Sequence, residues 1–105
     1  MTESEQKLAL MSEIPEGQVR VFEAFGERIA LCHVDDGFYA VADLCSHDDG
    51  PLGEGEVSDH QIECPRHGAR FDIKTGRALC LPAVKAIPTY DLEVRGDEIW
   101  VKRNI

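Results

Sequence analysis

The chain has 105 residues, room for one domain of ordinary size spanning 1–105 and not for two. With 20 acidic against 11 basic residues its formal charge is −9, which argues against nucleic acid as a partner, because phosphate backbones are held by clustered Lys and Arg. Hydrophobic content of 43% suits a globular protein, but no run approaches the roughly 20 apolar residues that cross a bilayer, so no membrane association is expected.

The opening Met-Thr-Glu-Ser-Glu-Gln has neither a basic nor an apolar leader segment, and the expectation is a cytoplasmic protein. In that reducing compartment the 4 cysteines are more often metal ligands than disulfide partners. Residues 1–6 read as an unstructured start and 7–11 as a first strand, with a helical turn as the alternative. A turn punctuated by Pro15 and Gly17 follows. Val19, Arg20 and Val21 alternate with the period of a strand, which Gly26 closes. Residues 28–34 form the next strand, Asp35-Asp36-Gly37 a hairpin turn, and 38–42 the returning strand. Cys32, in the apolar run Ile29-Ala30-Leu31-Cys32, reads as a buried small hydrophobe. His33 has no ligand partner at useful spacing and reads as structural.

Residues 48–55 are a turn-rich loop with Gly50, Pro51, Gly53 and Gly55. Its only large apolar residue, Leu52, is expected to pack against a metal group or the opposing loop. Residues 57–63 predict a small hairpin with His60 as a solvated turn residue. A strand over 69–72 turns at Lys74-Thr75-Gly76. Cys80, between Leu79 and Leu81, has the same reading as Cys32, a buried hydrophobe. Residues 90–94 and 99–101 alternate around Arg95-Gly96-Asp97, a closing hairpin. Many short strands with turn signals and almost no helix predict an all-β fold, an antiparallel β-sandwich or barrel.

Two runs carry the chemistry: Cys45-Ser46-His47 and, after 16 residues, Cys64-Pro65-Arg66-His67-Gly68. Each offers one thiolate and one imidazole. A Cys2His2 zinc site is one shell such a set can build, though a single residue between Cys45 and His47 is tight for one ion. Two irons bridged by sulfides separate the donors more naturally, with Cys45 and Cys64 on one iron and His47 and His67 on the other.

The pattern C-x-H, a gap of this size, then C-P-x-H-G resembles the Rieske [2Fe–2S] family, in which two histidines replace two cysteines on one iron. The resemblance runs from about Glu13 to the C-terminus. It implies a Rieske-type antiparallel β-sandwich with a small inserted cluster-binding subdomain of three strands over about 43–73, and a proline loop beginning at Leu81-Pro82-Ala83 that covers the cluster. The implied cofactor is one [2Fe–2S] cluster held by Cys45, His47, Cys64 and His67. Four protein ligands leave no open iron position, so such a site passes electrons and binds no substrate.

Respiratory members of the family carry a disulfide, a Ser and a Tyr near the cluster. Here those positions are Gly50 and Arg66, Ala69, and Phe71, so the resemblance implies a low potential within a range of roughly −150 to +300 mV. The function implied is a ferredoxin, not itself an enzyme. As a monomer it would carry single electrons from a flavin-dependent ferredoxin reductase to the terminal oxygenase of an aromatic-ring dioxygenase system. Docking would use the exposed edges of His47 and His67, with Asp48, Asp49, Glu54 and Glu56 steering a basic partner. The alternatives are a small Rieske subunit of a nitrite-reductase-like enzyme, a Rieske ferredoxin of another redox pathway, and a structural zinc module.

Overall fold

The computed structural model describes residues 4–45, 50–53, 55–65, 68–81, 83 and 85–103. Among these described residues ten strands fall in two antiparallel sheets: β1 Ser4–Leu10, β2 Val19–Ala24, β3 Glu27–Val34, β4 Gly37–Ala42, β5 Val57–Ser58, β6 Gln61–Glu63, β7 Arg70–Asp72, β8 Ala78–Cys80, β9 Thr89–Arg95 and β10 Glu98–Arg103. The larger sheet has the order β1-β10-β9-β4-β3-β2, the smaller β5-β6-β7-β8. Edge strands β1 and β2 also approach one another, so the larger sheet curls towards a barrel. The all-β expectation holds.

Hairpins set the registers. Asp35 and Asp36 link β3 to β4 through the pair Val34↔Gly37, and Gly96 and Asp97 link β9 to β10 through Arg95↔Glu98. Asp59 and His60 both take positive φ, 51° and 60°, the twist a two-residue hairpin between β5 and β6 requires. β1 begins at Ser4, earlier than its apolar residues suggest. Its polar start pairs with β10 (Ser4↔Arg103, Glu5↔Lys102), so backbone pairing rather than burial orders it.

The run Ile29-Ala30-Leu31-Cys32 is buried throughout because β3 serves two cores. Ile29 and Leu31 face the barrel interior with Leu8, Ile14, Ile99 and Val101. Ala30, Cys32 and Val34 face the smaller sheet, where they meet Val41, Leu52, Ile62, Phe71 and Ile73. Strands β4 and β9 are neighbours (Ala40↔Tyr90, Val41↔Thr89), yet the whole smaller sheet lies between them in sequence. That sheet is thus delivered from one point of the barrel wall and packs back on it. It also has a fourth strand, β8, beyond the span expected from the resemblance. The turn after Asp72 closes through Gly76 N–H on the Asp72 carbonyl, 2.7 Å, and returns the chain alongside β7.

Candidate metal centre

Cys45 leaves the end of β4 and Cys64 leaves the end of β6. Both side chains are fully buried, and both belong to the core between barrel wall and smaller sheet, with Leu52, Ala69 and Phe71. The two predicted sulfur donors are therefore brought into one apolar environment by separate loops. His47 and His67 lie outside the described residues, as do Asp48, Asp49, Glu54, Arg66 and Pro82. Two soft donors in a dry setting fit a sulfide-bridged iron group, because the surrounding apolar shell limits solvent access to it.

The two loops are held differently. In the second, the Cys64 N–H donates to the Ala69 carbonyl at 2.7 Å and the Gly68 N–H donates to the Cys64 carbonyl at 3.0 Å. This tight return is continuous with the β6–β7 ladder, where Glu63 pairs with Arg70. Gly68 sits at φ +77°, which a side chain tolerates poorly. The Cys80 thiol reaches the Gly68 carbonyl at 3.6 Å from the neighbouring strand.

In the first loop the Cys45 N–H donates to the Gly50 carbonyl at 2.8 Å. A side chain also fastens it. Asp43 is the buried charged residue among the described ones. Its Oδ1 accepts from the N–H groups of Leu52 (2.8 Å) and Gly53 (2.7 Å). Its Oδ2 lies 2.9 Å from an Arg28 Nη but off the N–H axis, so that contact is Coulombic rather than a directed hydrogen bond. Leu52, held this way, is fully buried in the core that also contains both cysteines. Gly55 completes the approach of the loops, since a Cβ there would lie 1.8 Å from the Glu63 carbonyl oxygen.

Asp43 was not apparent as a site residue in the sequence; the available signal was an acidic residue closing an apolar strand two positions before a candidate ligand. Cys32 is buried as predicted, and burial pushes its thiol up to about 12, so it stays protonated and inert. His33 is structural: its Nδ1–H donates to the Ile14 carbonyl at 2.7 Å and its ring stacks on Phe38 at 4.1 Å. The expectation for Cys80 is corrected. It is exposed, as are Leu79 and Leu81, because β8 is the outer strand of its sheet.

His60 is half-buried rather than simply solvated. It lies 2.9 Å from Asp36 and 3.6 Å from Asp35, with Lys74 3.5 Å from Asp36 and the Tyr39 hydroxyl 3.3 Å away. This network joins the β3–β4, β5–β6 and β7–β8 turns, at the ends of β4 and β6 away from the cysteines. It holds Asp36 below the usual carboxylate range, chiefly through the His60 hydrogen bond.

A family profile described as Rieske [2Fe-2S] domain matches residues 4–91. The chain is 38% identical over 101 residues to the naphthalene 1,2-dioxygenase system ferredoxin component of Pseudomonas aeruginosa, covering 96% of this chain and 97% of that one. Among solved structures, the ferredoxin of carbazole 1,9a-dioxygenase from Nocardioides aromaticivorans IC177 superposes with a TM-score of 0.90 at 33% identity, over 93% of this chain and 96% of that one. A ferredoxin solved in complex with the reduced oxygenase of carbazole 1,9a-dioxygenase superposes with a TM-score of 0.86 at 32% identity, over 92% and 91%.

Proposed function

This chain belongs to the Rieske [2Fe–2S] domain family, among the ferredoxin components of dioxygenase systems, and on that premise we propose that Cys45, His47, Cys64 and His67 hold its cluster. The observation that carries the assignment is the joint burial of Cys45 and Cys64 in one apolar core, reached from two loops. When bound, the cluster supplies a one-electron couple. The protein is an electron carrier and does not itself oxygenate. In the cytoplasm it takes electrons, as a monomer, from a flavin-dependent ferredoxin reductase and delivers them to an aromatic-ring oxygenase. The chain's own residues exclude water from the sulfurs and fix the loops, so little reorganises as charge changes.

Low potential is part of this reading. Ala69 and Phe71 are fully buried beside Cys64 and bring no hydroxyl to it. A donor aimed at a ligand sulfur stabilises the more negative, reduced state and raises the potential. Ala69→Ser combined with Phe71→Tyr should therefore move the midpoint upward in protein-film voltammetry; an unchanged midpoint defeats this account.

The test of the whole proposal is the anaerobically purified protein. Iron and acid-labile sulfide in equal amounts, with a rhombic EPR signal of low average g after dithionite, support it. Zinc in place of iron sinks it. Delivery is tested by reconstitution with a flavin reductase and a ring-hydroxylating oxygenase, where product must depend on this protein.

A further inference from the structure

A buried carboxylate is expensive to keep unless its oxygens are satisfied. Asp43 spends one oxygen on two backbone N–H groups and leaves the other facing a guanidinium. Its own N–H donates to the Arg28 carbonyl at 3.0 Å, so the two residues are tied through backbone as well as charge. The segment the carboxylate closes, 43–53, contains Cys45 and carries Leu52 into contact with the core that buries both cysteines. A groove of about 400 Å³, lined by Arg28, Asp43, Leu44, Pro88 and Tyr90, brings solvent to the guanidinium.

We infer that Asp43 and Arg28 are a positioning pair for the first ligand loop: the carboxylate fixes the loop, and the two charges together set the electrostatic balance beside Cys45. This rests on Cys45 being a cluster ligand. A merely structural Asp43 would need only its acceptor oxygen. A charge-setting pair makes a sharper demand, because a negative charge near the cluster opposes an added electron and a positive one favours it. Removing either charge should therefore move the potential in opposite directions. Water in the groove screens Arg28 more than the buried carboxylate, so the Asp43 effect should be the larger.

The experiment uses cluster-loaded parent, Asp43→Asn, Arg28→Gln, the double variant and Asp43→Leu. Voltammetric midpoints, EPR g-values and the rate of iron release to a chelator are measured for each. Asn keeps an acceptor for Leu52 and Gly53. Asp43→Asn should shift the midpoint upward, Arg28→Gln downward by less, and the double variant should fall between them, all with parental iron content. Asp43→Leu removes the acceptor and should release iron about tenfold faster or more, as expected for orphaned buried N–H groups. Midpoints that stay put, or that move the same way in both single variants, overturn the inference while leaving the ferredoxin reading intact. Iron release from Asp43→Leu at the parental rate also overturns it. If Asp43→Leu does not fold, the opposite shifts of the Asn and Gln variants still decide the matter. A parent without a cluster overturns both readings together.

Discussion

The loops that bring Cys45 and Cys64 together reach the same degree of burial by different means. The second loop is a product of its backbone: a return from Cys64 to Ala69 that extends the β6–β7 ladder. Among its described residues the first is closed by the Cys45–Gly50 bond and fastened further by the Asp43 carboxylate, the Leu52 side chain and the close approach of Gly55 to Glu63. A backbone-held loop tolerates side-chain change and yields to backbone strain. A loop held by side chains should fail at single positions.

The comparison breaks first where both loops are equal. Cys45→Ser and Cys64→Ser each remove a soft donor that oxygen replaces poorly. Each should abolish the cluster, with iron and acid-labile sulfide falling to background in the purified protein. Retention of a full cluster in either would mean that the buried thiol is not a ligand.

Adding one methyl group then separates the loops. Gly55→Ala places a Cβ against the Glu63 carbonyl, backbone against backbone, and one strand must shift. A cost of about 1–3 kcal/mol is expected, as for overpacking. Because the clash lies between the loops, iron should also dissociate faster. Among the described residues Gly68→Ala meets nothing nearer than 3.7 Å, so the cost expected is that of its φ of +77°. About 1–2 kcal/mol is expected there. Chemical denaturation of the two variants, with chelator challenge, checks the order. The reverse order would mean that strain in the second loop outweighs steric contact in the first.

These loops also divide what could be read in advance. The cysteine and histidine runs stood out as candidates because ligand type and spacing are properties of the chain itself; of their donors the structure describes Cys45 and Cys64, which it buries in one core. The hairpins at Asp35-Asp36 and Gly96-Asp97 were legible for the same reason, local turn chemistry between alternating strands. Asp43 was not, because its role depends on partners nine and ten residues away, Leu52 and Gly53, and on Arg28 across the sheet. Cys80 was misread because Leu79-Cys80-Leu81 looks like a buried run. Only the sheet order makes β8 an outer strand, and sheet order is not local information. His60 fell between these cases. Its turn was evident, but the Asp36 it meets comes from a strand pair 24 positions earlier.

The smallest expected effect lies away from both loops, in that His60–Asp36 contact. Asp36 titrates below the ordinary carboxylate range in the folded protein, first because of the His60 hydrogen bond, with Lys74 and Tyr39 adding to it. A lowered folded value means that the charged form is favoured by folding. The contribution is therefore present above the unfolded carboxylate pKa and is lost as pH falls through the folded one. Asp36→Asn should flatten the fall of Tm across that acid window while moving Tm little at neutral pH, since exposed pairs contribute little there. The midpoint potential should not change, because the network sits at the ends of β4 and β6 away from Cys45 and Cys64. A shift in potential comparable to that of Asp43→Asn would show that charge far from the two loops tunes the cluster, and that the first loop holds no special electrostatic position.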